Sequence, residues 1–253
     1  MPITAYDSHG DGPPFVLVHA FPLSRKMWEA QANDFPGRRV IAPDLPGFGQ
    51  SPRQEGGLTM EAAARELAAL LDRLGAKGPA ALCGVSMGGY IAFEFARLFP
   101  ERLSALILAC TRPGPDAPQA IETRYQTAQR VRAEGLGFLA ETMPAKLLGR
   151  ATLGKNPGLV GRVRDLILDN PPEGVADSLV AMARRRDSTP ILPSIKCRVL
   201  ILAGAEDGLI PPAESEAMAK AIPGAKLEIL PECGHLPNLE RPDAFQAAVA
   251  GIL

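Results

Sequence analysis

The stretch PAALCGVSMGGYIAFEF, residues 79–95, governs the interpretation of the whole chain. An apolar run from Pro79 to Cys83 leads into a Gly-Val-Ser-Met-Gly turn at 84–88, and a second apolar segment follows. A strand, a tight turn centred on serine and a helix are the sequence form of a nucleophile elbow, in which a strained turn exposes the serine side chain. Glycines two residues before and after the serine allow the required close backbone approach. The pattern therefore predicts Ser86 as a nucleophile, with a plain glycine turn as the alternative.

The composition indicates an ordinary globular protein. The chain has 253 residues, of which 46% are hydrophobic and 22% charged, and this length suits one large α/β domain. A net charge of -1 argues against a nucleic-acid or membrane partner. The first ten residues, MPITAYDSHG, lack the basic and apolar regions of a secretion signal. We therefore expect a soluble, cytoplasmic protein.

The cysteines and histidines give no sign of a metal or cofactor. The four cysteines are scattered and show no CxxC spacing, and three of them lie in or beside apolar runs, where buried free thiols are expected. Neither they nor the three histidines are spaced like metal ligands. The sequence thus predicts no metal and no cofactor.

Apolar runs typical of buried strands recur along the chain and alternate with helical segments. A possible edge strand lies at 3–7, and helices are predicted at about 59–74, 89–98 and 242–253. The predicted strands are at 15–19, 39–42, 79–83, 103–109, 198–203 and 225–230. Strands and helices that alternate in this way predict a mostly parallel sheet covered by helices on both faces, an α/β fold.

One block interrupts this alternation. Residues 112–189 contain no buried strand-like run, and we expect helices there at about 118–134, 136–148, 157–169 and 173–186. The sequence therefore predicts a core made of residues 1–111 and 190–253, with a helical cap inserted at 112–189. Such a cap would lie over the carboxyl edge of the sheet, where α/β proteins bind ligands.

A candidate acid and a candidate base follow the last two predicted strands. Asp207 lies in the loop GAEDG after the strand at 198–203, and His235 follows the final strand through PECG. Taken alone, an aspartate in a loop is most often a cap, a histidine there is most often solvated, and Glu206 is a competing acid. However, the order Ser, Asp, His is the order associated with the nucleophile elbow. The conjunction predicts a triad of Ser86, Asp207 and His235.

The chemistry of acyl transfer assigns a role to each residue. A serine hydroxyl needs a base within hydrogen-bond reach, and an imidazole such as that of His235 titrates near neutral pH. Asp207 would hold the imidazole tautomer and stabilise the imidazolium that forms during attack.

Two backbone N–H groups are expected to form an oxyanion hole. One is that of Met87 at the start of the elbow helix, and the other comes from the loop after the strand at 15–19, with Phe21 as the best candidate. Pro22 has no N–H and cannot donate. We expect the ring of His19 to shape this loop rather than to take part in the chemistry.

Five motifs together resemble the α/β-hydrolase superfamily, and the likeness covers essentially the whole chain outside 112–189. They are HAFP at 19–22, DLPGFGQS at 44–51, GVSMGG at 84–89, GAED at 204–207 and GH at 234–235. The chain looks most similar to small carboxylesterases, enol-lactonases and cofactor-free haloperoxidases. The resemblance implies that Phe21 and Met87 supply the oxyanion hole and that 112–189 is the variable cap. Ala20 departs from the glycine that is usual in this loop.

The nucleophile restricts the reaction without naming the substrate. A serine excludes the members of this superfamily whose nucleophile is aspartate, and it leaves esters, lactones, thioesters and C–C cleavage of β-diketone-like compounds. Phe21, Pro22, Met87 and Tyr90 are the candidate substrate contacts, and they suggest an apolar pocket of modest size. We expect a small-to-medium carboxylic ester as the substrate, with no metal, no nucleic acid and no membrane involved.

Several alternatives stay open at this point. The same triad would serve an enol-lactonase or a C–C bond hydrolase, and a hydrolase-fold receptor for a small ligand would also keep it. The Phe21-Pro22 pair resembles the loop of haloperoxidase-like esterases, which suggests perhydrolysis as a side activity.

Arginines in the inserted block bear on the substrate. Arg112, Arg124, Arg130 and Arg132 are candidates to pair with a substrate carboxylate, as an oxoadipate-type lactone would require. Acidic residues are interleaved with them, so the sequence favours solvent-facing helix charges.

Overall fold

The structure is a computed structural model that describes Ile3 and residues 5–76 and 78–253. Outside the described residues lie Met1, Pro2, Thr4 and Lys77. Part of the predicted N-terminal strand and part of the segment that was compared with a secretion signal therefore fall outside the described residues. The strands are β1 (Tyr6–His9), β2 (Pro14–Val18), β3 (Arg39–Pro43), β4 (Ala80–Val85), β5 (Leu103–Ala109), β6 (Arg198–Gly204) and β7 (Lys226–Leu230).

The strands form a single seven-stranded sheet in the order β1-β3-β2-β4-β5-β6-β7. Only β1 runs antiparallel to its neighbour within the described chain, and the other adjacent pairs are parallel. Every residue of β2 and β4 is buried, because helices cover both faces of the sheet. The predicted α/β-hydrolase fold, with a mostly parallel central sheet and an inserted helical block, is confirmed.

Eleven α-helices occur in the described residues. They are α1 (Met60–Arg73), α2 (Met87–Leu98), α3 (Pro118–Glu134), α4 (Gly137–Thr142), α5 (Pro144–Leu147), α6 (Arg150–Lys155), α7 (Pro157–Leu168), α8 (Pro172–Ala183), α9 (Pro212–Ala221), α10 (Pro237–Glu240) and α11 (Pro242–Ala250). Short 3-10 helices lie at Arg25–Gln31, Pro100–Arg102 and Thr189–Ser194. Among the helices of the described residues, none is both long enough and apolar enough to cross a membrane.

The segment between β5 and β6, which we call the inserted block (residues 112–189), holds α3 to α8. The helix predicted at 118–134 coincides with α3. The helix predicted at 136–148 is instead two short ones, because Pro144 starts a new helix and has no N–H to continue the previous one.

Candidate active site

Ser86 sits in a strained turn between β4 and α2. Its φ is +55° and its ψ is −113°, a backbone conformation that costs a residue with a side chain roughly 1–3 kcal/mol. Two hydrogen bonds hold the turn: the Ser86 N–H donates to the carbonyl of Ala109 (2.9 Å), and the Thr111 hydroxyl donates to the carbonyl of Ser86 (2.9 Å). Ser86 is partly exposed, whereas the flanking residues 80–85 and 87–93 are buried.

The glycines of the turn are required by backbone contacts. A Cβ on Gly84 would overlap the carbonyl of Gly88, and a Cβ on Gly88 would overlap the carbonyl of Val18 in β2. Neither clash can be relieved by a side-chain rotation, because both neighbouring groups are backbone. Glycine at both positions therefore lets α2 begin directly against the sheet.

The predicted acid and base are hydrogen-bonded to each other. His235 Nδ1 lies 2.7 Å from Asp207 Oδ2, and both side chains are buried. The other carboxylate oxygen accepts the N–H groups of Leu209 (2.9 Å) and Ile210 (3.0 Å), which fixes its orientation. Since a carboxylate can only accept, the neutral imidazole donates from Nδ1 and keeps Nε2 as its basic nitrogen.

Glu206, the competing acid, faces elsewhere. It is partly exposed, and its Oε2 accepts the N–H of Ala151 in the inserted block (3.1 Å). Asp207 is therefore the carboxylate that holds His235.

A buried cysteine lies beside this pair. Ligand atoms of Cys110, Asp207 and His235 lie within 4.8 Å of one another, an arrangement that the sequence spacing did not reveal. Burial and the neighbouring Asp207 raise the pKa of the Cys110 thiol well above its ordinary value. The thiol is therefore kept protonated, whereas the thiolate is the form of cysteine that binds metals.

The two predicted oxyanion donors have free backbone N–H groups. Within the described residues, neither Phe21 N–H nor Met87 N–H meets a hydrogen-bond acceptor. The N–H of Met87 opens the first turn of α2, where the helix dipole favours negative charge. Both groups are thus available to a developing oxyanion.

His19 holds the loop that carries Phe21. Its Nδ1 lies 3.1 Å from the carbonyl of Ala20, and its Nε2 accepts the N–H of Leu45 (3.1 Å). These two bonds need one protonated and one bare nitrogen, so the ring is neutral. Burial lowers the pKa of His19, against the opposing charge of Asp44.

A cavity of about 820 Å³ opens over Ser86 and His235. Of the candidate substrate contacts, Phe21 and Tyr90 line it, while the described wall includes neither Pro22 nor Met87. Met87 is buried and its side chain does not line this cavity, so the structure does not place that side chain against a substrate. Most of the remaining wall comes from the inserted block and includes Ala120, Phe138, Leu139, Met143, Leu147, Leu179 and Met182.

An arginine cluster stands at one side of this cavity. Arg112 and Arg124, which line the cavity, and Arg185 all pair with the buried carboxylate of Asp116. Burial opposes ionisation of this carboxyl, but the arginine hydrogen bonds outweigh it and hold the pKa of Asp116 well below its usual range. The guanidinium of Arg185 also stacks 4.2 Å over the ring of Tyr90. Three guanidinium groups against one carboxylate leave an excess of two positive charges.

The sequence prediction of solvent-facing arginines is therefore wrong for two of the four residues. The side chains of Arg112 and Arg124 are only 25% and 22% exposed, because Asp116 draws them inward. The prediction of a solvent-facing side chain is correct for Arg130, which lines the cavity but is half exposed and pairs with Glu134. Arg132 lies away from this cavity and pairs with Glu173 and Asp177.

Sequence reasoning missed the residues that join the inserted block to the site. Glu240 accepts the N–H of Gly149 (2.8 Å) from the block and the N–H of Gly234 (3.0 Å), next to His235. The backbone N–H of His235 donates to the carbonyl of Leu147 (2.8 Å). No local motif marks such residues, since their partners are distant in the sequence.

Residues 13–242 match the family described as the alpha/beta hydrolase fold. The chain therefore belongs to the α/β-hydrolase family, and it is an enzyme of the hydrolase class.

Within this family, the chain is similar to proteins named as esterases and lactonases. The chain is 31% identical over 244 residues to 3-oxoadipate enol-lactonase 2 of Acinetobacter baylyi, covering 96% of this chain and 89% of the relative. It is 31% identical over 249 residues to a pimeloyl-[acyl-carrier protein] methyl ester esterase of Aromatoleum aromaticum (91% and 94% covered). A thermophilic esterase of Thermogutta terrifontis, solved with malate bound, is 46% identical with a TM-score of 0.93 (98% and 91% covered). Relatives with these names act on esters and lactones.

Proposed function

We propose that this protein is a serine hydrolase that cleaves small-to-medium carboxylic esters through an acyl-enzyme on Ser86. The observation that carries the proposal is that Ser86 and His235 line one cavity, with His235 hydrogen-bonded to the buried Asp207 and with two free backbone N–H groups, one on a residue that lines the same cavity and one on the residue that follows Ser86 in the chain. Esterases among the relatives support the substrate class.

In the first half-reaction, Ser86 Oγ attacks the ester carbonyl while His235 Nε2 takes the hydroxyl proton. The carbonyl oxygen becomes an oxyanion, which the N–H groups of Phe21 and Met87 stabilise; one such donor is typically worth about 3 kcal/mol. Asp207 stays ionised and stabilises the imidazolium. The tetrahedral intermediate then collapses, the C–O bond to the alcohol breaks, and Nε2 returns the proton to the departing alkoxide.

In the second half-reaction, water replaces the alcohol. His235 Nε2 removes a proton from the water as its oxygen attacks the acyl carbon, and the same two N–H groups stabilise the second oxyanion. Collapse expels Ser86 Oγ, which regains its proton from the imidazolium. The acid leaves and the free enzyme is restored.

The inserted block serves as a cap in this proposal. It supplies most of the apolar wall of the cavity that Ser86 lines, with residues from α3, α4, α5 and α8. Its shape would therefore set the size of the acyl and alcohol groups that fit, while the core supplies the chemistry.

The test is steady-state hydrolysis of p-nitrophenyl acetate and butyrate. Ser86→Ala should lower kcat by about 10³-fold or more with an unchanged circular dichroism spectrum, since the residual rate comes from binding and the oxyanion hole. Ser194→Ala, a change at an exposed serine, is the matched control and should behave as wild type. A Ser86→Ala enzyme that keeps most of its turnover would refute the proposal, and turnover limited to a single equivalent would favour a ligand receptor.

The arginine cluster favours a second candidate, a lactonase or esterase whose substrate carries a carboxylate. Arg112 and Arg124 line the cavity of Ser86 with an excess of positive charge, and guanidinium groups bind carboxylates well. The enol-lactonase relative and the malate in the esterase relative agree with this reading.

This second candidate is tested with matched substrates. We expect monomethyl glutarate to be hydrolysed with a lower KM than methyl butyrate, and Arg124→Gln to raise the KM of the half-ester about tenfold while leaving the neutral ester unchanged. Arg132→Gln, in the block but away from the cavity, is the control. Equal KM values for both esters in wild type and Arg124→Gln would exclude the carboxylate preference.

A further inference from the structure

A buried asparagine joins the inserted block to the loop that carries Phe21. Asn170 lies between α7 and α8 and is only 4% exposed. Its Nδ2 donates to the carbonyl of Pro22 (3.0 Å), and its Oδ1 accepts the N–H of Gly49 (2.9 Å). Pro22 and Gly49 belong to the loops that follow β2 and β3, at the carboxyl edge of the sheet.

The amide of Asn170 has only one orientation that satisfies its partners. A second Nδ2 hydrogen bond goes to the carbonyl of Leu166 (2.8 Å), one turn back in α7. Two carbonyls therefore face the NH₂ group and one N–H faces the oxygen, and a flipped amide would place like groups together at all three contacts. The side chain is fully hydrogen-bonded and fixed in place.

Pro22 directly follows Phe21 in the chain. The loop is also held inside the core, where the N–H of Leu23 donates to the carbonyl of Ala20 (2.9 Å) and His19 bonds to Leu45. Asn170 adds the restraint on the far side, at the carbonyl of Pro22. A shift of that carbonyl would rotate the preceding segment and with it the N–H of Phe21.

We infer that Asn170 is a positioning residue for the oxyanion hole, through which the inserted block fixes the N–H of Phe21. The inference rests on the proposed function, since it needs the Phe21 N–H to stabilise the oxyanion. Asn170 touches no reacting atom; it acts through Pro22. Positioning of this kind affects the transition state more than ground-state binding, because the donor is needed where charge develops.

The experiment compares Asn170→Ala with Asp177→Asn. Asp177 is on α8 and ties the same block to the core through Arg53 (2.5 Å), away from the cavity of Ser86. For p-nitrophenyl butyrate, Asn170→Ala should lower kcat roughly tenfold to hundredfold with KM within about threefold. Affinity for an aryl trifluoromethyl ketone, which forms a tetrahedral oxyanion on the serine, should fall by a similar factor. Asp177→Asn should change neither quantity more than about threefold.

The outcomes separate the inference from the function it rests on. Suppose that Ser86→Ala is inactive, so that the hydrolase proposal stands. The positioning role is then wrong if Asn170→Ala loses no more kcat than Asp177→Asn, if it raises only KM, or if it keeps the wild-type affinity for the ketone. If Ser86→Ala stays active, both fall. Asn170→Ser, whose hydroxyl can keep one bond, is used if the alanine variant does not fold, and it should show the same loss of kcat in smaller measure.

Discussion

At the scale of single residues, His19 shows how a buried group can tie stability to pH. The neutral ring donates to Ala20 and accepts from Leu45, and burial lowers its pKa in the folded protein. An unfolded chain binds a proton at this histidine below about pH 6.5, whereas the folded protein resists doing so. Stability from the neutral ring is therefore complete above pH 6.5 and is lost as the pH falls below it.

We predict that the free energy of unfolding of the wild type falls between pH 7.5 and 5.5, with His19 contributing at most about 1.4 kcal/mol per pH unit. Urea unfolding at several pH values measures this slope. His19→Gln should be less stable at pH 7.5 but show a flatter slope, while His9→Gln, at an exposed histidine, should keep the wild-type slope. Equal slopes in His19→Gln and wild type would show that His19 does not contribute.

At the scale of elements, the β4–α2 junction depends on glycines that no other residue can replace. A Cβ on Gly88 would overlap the carbonyl of Val18 and force α2 away from β2. In contrast, Gly161 lies within α7 with open space around it.

The two glycines should therefore respond in opposite directions. Gly88→Ala should lower the free energy of unfolding by about 2 kcal/mol or more, because backbone overlap cannot relax, and it should also lower kcat by displacing Ser86. Gly161→Ala should raise the free energy of unfolding by about 0.5–1 kcal/mol, since alanine is the better helix former. Chemical denaturation and p-nitrophenyl butyrate assays measure both, and a wild-type stability for Gly88→Ala would contradict the packing argument.

The elements were largely predictable from the sequence because their signals are local. The buried strand predicted at 103–109 coincides with β5, and the predicted buried strand at 198–203 ends one residue before β6 does. Thr59, the predicted start of the first helix, caps α1 by accepting the N–H of Ala62 (3.0 Å). Short elements such as α6 were not predicted, since six residues are too few to show a helical periodicity of apolar residues.

At the scale of the whole molecule, the inserted block and the histidine loop form one hydrogen-bonded unit. Glu240 is central to it: one carboxylate oxygen accepts from Gly149 N–H and Thr152 hydroxyl, and the other accepts from Gly234 N–H and Leu236 N–H. These bonds join the block to the residues on either side of His235.

A neutral amide cannot keep this arrangement, because in either orientation its NH₂ group would face at least one backbone N–H, which can only donate. Glu240→Gln should lower the free energy of unfolding by about 2 kcal/mol or more and reduce kcat as His235 loses its restraint. Thermal unfolding and ester hydrolysis test this, with Glu228→Gln on the exposed side of β7 as the neutral control. If both variants unfold like the wild type, Glu240 does not hold the block to the core.

Contacts at this scale were beyond sequence reasoning. Asn170 and Pro22 are 148 residues apart, and Glu240 and Gly149 are 91 apart, so no window of sequence contains both partners. Arg112 and Arg124 were misjudged although Asp116 lies only four and eight residues from them, because Asp116 also pairs with Arg185, 69 residues away. Their exposure depends on Asp116 and Arg185, whose meeting follows only from the packing of α3 against α8.

Ser86, Asp207 and His235, in contrast, could be grouped as candidates from the sequence because each follows a strand of a parallel sheet. The carboxyl ends of such strands share one edge, so Asp207 and His235 were expected to meet. The structure places them 2.7 Å apart.

The central claim, that Ser86 carries the acyl group, is tested most directly by covalent labelling. The protein is treated with a fluorophosphonate, which phosphonylates activated serines, and the labelled peptide is identified by mass spectrometry. We predict one adduct per chain on Ser86, lost in Ser86→Ala and strongly slowed in His235→Ala, with label uptake matching the loss of ester hydrolysis. The account would be contradicted if the reagent abolished ester hydrolysis while the adduct lay on another residue. It would also be contradicted if enzyme that hydrolyses esters gave no adduct on Ser86 after treatment.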